Sequence, residues 1–148
     1  AACDEIRSLG VALGPCTIPA IGKPNFEIAD DEMEIGMGIH GEQGIERGKL
    51  KTADEIAEIL ADKVISDYPL KKGDSVAVLV NSLGEELYIV YRKIDAILKA
   101  KGIEIYKRYV GRYACSMEMP GVSLTLMKLD EERKRLLSAP CSSPFFKQ

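Results

Sequence analysis

The chain has no tryptophan and a single histidine, His40. It has no apolar run near the roughly 20 residues that a membrane helix needs. The longest such stretches, "VAVLV" at 76–80 among them, are of strand length. No basic-then-apolar leader is visible, so no signal peptide is expected. The net charge is −3 and no basic stripe stands out, which argues against nucleic acid as the main partner. The four cysteines, Cys3, Cys16, Cys115 and Cys141, are scattered and form no C-x-x-C pair. That spacing does not suit zinc. Reduced thiols in a cytosolic protein, most of them buried as small apolar groups, are the simplest expectation.

With 46% apolar and 29% charged residues, the chain reads as globular rather than disordered. Its 148 residues suffice for one domain with a real core. "AACDEIRSLGVALG" reads as the tail of a helix running into a strand at 9–14. It starts without Met or cap, so a start partway through a larger protein is expected. "PCTIPAIGKPNF", 15–26, has three prolines and a glycine; it can be neither helix nor central strand and reads as an ordered loop. At 32–39, Met33, Ile35, Met37 and Ile39 alternate with Glu32, Glu34, Gly36 and Gly38. That period of two predicts a strand with one buried face and one open face. "GEQGIERGKL" follows as a loop.

Thr52 and Glu55 have the capping-box spacing and open a predicted helix over 53–67, with Ile56, Leu60 and Val64 on one side. "SVAVLVN", 75–81, reads as a strand covered on both faces. A second helix follows, with Leu87, Val90, Tyr91, Ile94 and Leu98 on one face and Gly102 closing it. Strands are predicted at 103–110 and 122–129, as an antiparallel pair, with Pro120-Gly121 as the centre of a type II turn before the second. "DEERKRLLSAP" is a short helix with an acidic start, and "CSSPFFKQ" an extended tail. The expected fold class is α/β: a single domain, residues 1–148, with a mixed β-sheet layered with helices.

His40 is the residue of most chemical interest. It stands at a strand end between Gly38 and Gly41, where loops collect chemistry. A neutral imidazole there can act as base, ligand or nucleophile, against the plain alternative of a structural histidine. A metal site would need further ligands, and Glu34 and Glu42 are the nearest in sequence. "NSLG", 81–84, is a strand-to-helix turn without a P-loop's Gly-Lys-Ser/Thr, and Glu85 and Glu86 there repel an anion. Glu118 in "SMEM" reads as an exposed turn carboxylate rather than an active-site acid. No G-x-G-x-x-G spacing marks a dinucleotide site.

"LGVALGPCTIPAIGKPNFEIADDEMEIGMGIHGEQGI" resembles the second, C-terminal lobe of dihydroxyacetone (glycerone) kinases, in the subunit that binds the substrate. The likeness continues through "VLVNSLG", "ELYIVYRKI", "MPGVSLTLMKLD" and "LLSAP". It covers nearly the whole chain in the same order, and "EIGMGIHGE" is its most specific part. The resemblance implies that His40 binds dihydroxyacetone covalently as a hemiaminal, with Gly38 and Gly41 bordering the substrate. A terminal hydroxyl then accepts a phosphoryl group, giving dihydroxyacetone phosphate. It implies no cofactor in this chain. The donor, ATP with Mg or a phosphotransferase-system phosphoryl donor, belongs to another domain or subunit.

The family's first lobe, with its Gly-Ser-Gly-His motif and catalytic aspartate, has no counterpart here, and neither has the helical nucleotide-binding domain. This chain alone is therefore expected to be inactive. Its expected partners are dihydroxyacetone, that first lobe, the helical domain or subunit, and a second copy in a cytoplasmic homodimer. A non-catalytic dihydroxyacetone-binding coactivator is the alternative the resemblance allows. Two departures stand out. The family usually has a few more residues of Ala-Thr-Pro type near Gly84-Glu85, so this loop is shorter or residues are omitted there. Gln43 replaces a common proline.

Overall fold

The computed structural model describes residues 2–39, 42–82, 87–114 and 116–148. A 3-10 turn, Ala2–Glu5, leads into β1, Ile6–Ala12. A two-stranded ribbon, β2 Thr17–Ile18 and β3 Lys23–Pro24, comes next. Then follow β4 Glu32–Ile35, β5 Glu46–Lys49, α1 Ala53–Asp67, β6 Ser75–Ser82, α2 Leu87–Ala100, β7 Glu104–Gly111, β8 Gly121–Leu129 and α3 Glu131–Leu137. The main sheet has the order β5-β4-β1-β8-β6-β7. All its pairs are antiparallel except β6 with β7. The mixed sheet with its helices is the expected α/β class.

Helix α1 starts where its capping box lies. Thr52 Oγ1 accepts from the Glu55 amide, and the Glu55 carboxylate accepts from the Thr52 amide. Its buried side is Ile56, Ala57, Leu60, Ala61 and Val64. In α2 the buried stripe is Leu87, Val90, Ile94 and Leu98, and Gly102, at φ 70°, ends the helix in a conformation that suits glycine. α1 lies against β1 and β8, α2 against β6 and β7, and the helices touch each other. Together they cover one face of the sheet and enclose a core that includes Met33, Val78, Leu124 and Leu126. Burying each such large side chain contributes about 1.5–3 kcal/mol. No helix among the described residues is long and apolar enough to cross a membrane.

Several expectations are corrected. β1 begins at Ile6 rather than at 9, because it pairs with β8 along its whole length, from Ile6 opposite Met127 to Ala12 opposite Gly121. Polar residues at its start hid it: Arg7 stacks its guanidinium 5.1 Å from the Tyr68 ring and pairs with Asp67. β7 and β8 are not partners. Each lies on its own side of β6, so the apolar Ser75–Ser82 strand has a neighbour on both edges. Pro120-Gly121 is not the centre of a turn: Gly121 opens β8 opposite Ala12, and Pro120 accepts from the Leu13 amide at 2.8 Å. The turn lies earlier, where Met119 donates to Ser116 at 2.9 Å and Met117 takes φ 45°. Among the described cysteines only Cys16 is buried; Cys3 and Cys141 are exposed. The tail folds back on itself, bridging Ser142 to Lys147, and Phe146 packs 6.0 Å from the Tyr109 ring.

Leu60, fully buried, and Thr52 separate packing from capping. Leu60→Ala is expected to cost about 2–5 kcal/mol and Thr52→Ala about 1 kcal/mol. Urea unfolding of both variants checks the order; equal losses would contradict it.

Candidate functional site

The predicted strand over 32–39 is shorter than its alternation. β4 stops at Ile35 because Gly36 takes φ 84°, a left-handed value that favours glycine. The chain then runs on as one arm of a hairpin and returns as β5, Glu46–Lys49, a short charged edge strand. Its exposure and charge are those of a protected sheet edge, and the apolar pattern carried no sign of it. The stem is closed by backbone bonds. Ile45 donates to Ile35 at 2.8 Å, Gly38 donates to Glu42 at 3.2 Å, and Gly36 donates to Gly10 of β1 at 2.7 Å. His40 and Gly41 lie outside the described residues. Their described neighbours are Ile39, 41% exposed, and Glu42. A Cβ on Gly38 would overlap the Glu42 carboxylate, so a side chain there would require Glu42 to move.

The supposedly open face of the strand is occupied. Glu34 is only 5% exposed. Its Oε1 accepts from the Gly44 amide at 2.8 Å; its Oε2 accepts from Arg47 Nε at 3.0 Å and Nη2 at 2.5 Å. Gly44 is glycine for space: a Cβ would lie 2.6 Å from Glu34 Oε1 and 2.7 Å from the Ile35 carbonyl. Burial pushes the Glu34 carboxyl up, but Arg47 and the Gly44 amide outweigh it and hold it below the ordinary carboxylate range. Glu34 is thus engaged with protein donors. Among the described residues no three His, Cys, Asp or Glu side chains converge as a metal site would require.

Two depressions flank this hairpin. One, a cavity of about 50 Å³, is lined by Met37 and Ile39 together with Gly10, Asn81, Ser116 and Ser123. The other is an open groove of about 490 Å³ bordered by Phe26, Glu34, Gln43 and Arg47. Asn81, at the end of β6, ties down the far wall of the cavity. Its Oδ1 accepts from the Tyr113 and Ala114 amides at 2.8 and 2.9 Å, and its Nδ2 donates to the Ala114 carbonyl at 2.7 Å. No residue-type signal had singled out Asn81. Beneath the loops lies a second small core of Ala12, Cys16, Met37 and Met119, with Phe26 packed on it.

Glu118 is an exposed turn carboxylate. Its Oε1 accepts from the Thr17 amide at 2.5 Å, which pins the proline-rich loop to the 116–119 turn. Its own amide and that of Thr17 hold this carboxyl below the ordinary range. The turn residues Leu83 to Glu86, where a shortened loop and a helix start were expected, and Cys115 lie outside the described residues.

An α/β lobe with a glycine-rich hairpin flanked by two depressions has the general build of a ligand-binding lobe. The chain belongs to the Dak1 domain family, which matches residues 1–145. It is 47% identical over 144 residues to the PTS-dependent dihydroxyacetone kinase 2, dihydroxyacetone-binding subunit DhaK, of Listeria innocua, an alignment covering 95% of this chain and 44% of that one. In structure it resembles the dihydroxyacetone kinase operon co-activator Dha-DhaQ, with TM-score 0.83 and 33% identity over 93% of this chain and 44% of that one. It also resembles the dihydroxyacetone kinase from C. freundii in complex with AMP-PNP and Mg2+, with TM-score 0.79 and 27% identity over 93% of this chain and 26% of that one. The chain therefore spans less than half the length of these relatives.

A depressed carboxyl stabilises the fold above its ordinary titration range, and that contribution disappears as pH falls through the folded value. At neutral pH, Glu34→Gln is expected to lose about 1–3 kcal/mol, toward the low end because Arg47 is 45% exposed. Thermal melts of both proteins, from neutral pH to below the usual glutamate pKa of about 4.3, should converge on acidification. A gap that does not change with pH would refute the ionised pairing.

Proposed function

We propose that this chain is the second, C-terminal lobe of the substrate-binding subunit of a dihydroxyacetone kinase, and that His40 anchors the substrate. The observation that carries this reading is the hairpin: the residue before His40, Ile39, lines a partly polar cavity, within a chain whose relative is named for binding dihydroxyacetone. In the proposed step, the unprotonated imidazole nitrogen of His40 attacks the ketone carbon. A carbon–nitrogen bond forms, the carbonyl π bond breaks with its electron pair moving onto oxygen, and the proton from the other ring nitrogen passes through solvent to that oxygen. The product is a neutral hemiaminal, formed without loss of water and reversible.

Glycerol has no carbonyl and is refused. The link holds a small, flexible, polar molecule. A terminal hydroxyl is thereby presented to the phosphoryl donor. Holding the acceptor in place can remove up to roughly 7–11 kcal/mol of entropic barrier. Phosphorylation of that hydroxyl gives dihydroxyacetone phosphate.

The donor, ATP with Mg or a phosphotransferase-system phosphoryl donor, is assigned to another domain or subunit, and acid–base groups to a first lobe of the same protein. Alone, this chain would hold the substrate without turning it over. A homodimer is part of the same proposal. The likeness to the co-activator structure favours a second reading: a dihydroxyacetone-binding regulator that does not phosphorylate. A phosphorylation assay of the complete protein with each donor separates the two.

On incubation with dihydroxyacetone, the complete protein is expected to gain the mass of one substrate molecule with no water lost, reversibly on dilution. His40→Ala should abolish the gain. A variant that still gains the mass, or that phosphorylates dihydroxyacetone with normal rate and KM, would remove His40 from this role.

A further inference from the structure

We propose that Glu34 is a positioning residue: clasped by Gly44 and Arg47, its buried carboxylate sets the stem of the hairpin that carries His40 and so controls how tightly the substrate is anchored. The inference rests on the reading of His40 as the anchor. Four observations converge on it. First, the carboxylate reaches across the hairpin, from β4 on the incoming arm to Gly44 and Arg47 on the returning arm. Second, it is the one buried acid among the described residues, whereas the neighbouring ion pair of Lys49 with Asp31 is exposed.

Third, its Oε1 replaces a ladder partner. The Gly44 amide lies between the two backbone bonds that cross the hairpin, Ile45 to Ile35 and Gly38 to Glu42, and donates to the carboxylate where the ladder is interrupted. Fourth, Gly44 is packed so closely on the carboxylate that no side chain fits, so the contact fixes the arm's position and not only its direction.

The physical consequence is rigidity at a chosen point. An equilibrium carbon–nitrogen link forms only if the nitrogen is held where the carbonyl carbon comes to rest, and small displacements are costly. A misplacement of about 1 Å at a reacting centre can cost about 100-fold. A backbone hairpin with four glycines between 36 and 44 has little local stiffness of its own. Arg47 Nε and Nη2 converge on Glu34 Oε2 while the Gly44 amide holds Oε1, and a lysine, with no planar fork, could not reproduce that convergence. Glu34 touches neither substrate nor reacting atoms in this account; it acts through the loop.

The test uses the complete protein with dihydroxyacetone and its phosphoryl donor, and three variants: Glu34→Gln, Arg47→Ala and Lys49→Ala. Intact-mass titration gives the adduct Kd, and steady-state kinetics give KM and kcat. For Glu34→Gln and Arg47→Ala, Kd and KM are expected to rise about 10- to 100-fold, as for a displaced reacting group. Their effects should not add in the double variant, because both break one clasp. Lys49→Ala, on the same edge strand, should leave Kd and KM unchanged.

A merely structural role would lower the folded fraction, and hence kcat, with Kd and KM unmoved; that result overturns the proposal. So does a Lys49→Ala loss equal to that of Arg47→Ala. Should Glu34→Gln not fold, Arg47→Ala, truncated at a half-exposed position, decides alone. If the unaltered protein forms no adduct, or His40→Ala forms it equally well, the anchor reading itself fails. An adduct that needs His40 but ignores Glu34 and Arg47 removes only the positioning role.

Discussion

The insertion of β8 between β1 and β6 is the constraint on which the rest of this structure depends. β8 pairs along its length with β1 on one side and β6 on the other. It therefore joins the parallel β6–β7 unit, with its crossover helix, to the antiparallel β5-β4-β1 half. Neither half covers the helices alone: α1 needs β1 and β8 beneath it, and α2 needs β6 and β7. Leu124 and Leu126 of β8 fill the seam between them. The apolar burial driving this arrangement has no direction of its own; the ladder of backbone hydrogen bonds supplies the direction.

That seam also creates the end of the molecule that holds the small cavity. The small cavity takes its lining from the ends of all three central strands, Gly10 and Val11 of β1, Asn81 and Ser82 of β6, and Gly121 to Ser123 of β8. The β4 hairpin hangs from the same place, since Gly36 donates to Gly10. A buried carboxylate then clasps the hairpin's two arms. Taking an acid out of water is costly, and Glu34 repays that cost only because three donors meet it. Such an arrangement fixes the stem of the hairpin, which is what the proposed anchoring of a small polar ketone would need.

Much of the fold was legible in the letters. α1 has the bounds its capping box and 3.6-residue stripe indicated, and the apolar run at 75–81 is a strand buried along nearly its whole length. Both signals are local, written within a few turns or residues. β5 was not legible, because a charged edge strand has no apolar pattern. The pairing of β7 and β8 was misread, because nearness in sequence stands in poorly for a long-range ladder. The alternation at 32–39 was real, yet Gly36 turned the chain and Glu34 was covered by residues ten and thirteen positions further on.

What the sequence determined by itself was the helices and the longer apolar strands, the α/β class, and the single imidazole in a setting that points to one family. Those follow from side-chain period, capping chemistry and one motif, all readable along the chain. Only the tertiary structure decided that β8 divides β1 from β6, and that an acid on an apparently open face is buried. It also decided that this acid ties the returning arm of the His40 hairpin. These facts depend on which distant backbone and guanidinium groups arrive beside a residue. Hydrogen bonding and burial settle that in three dimensions, without leaving a local pattern.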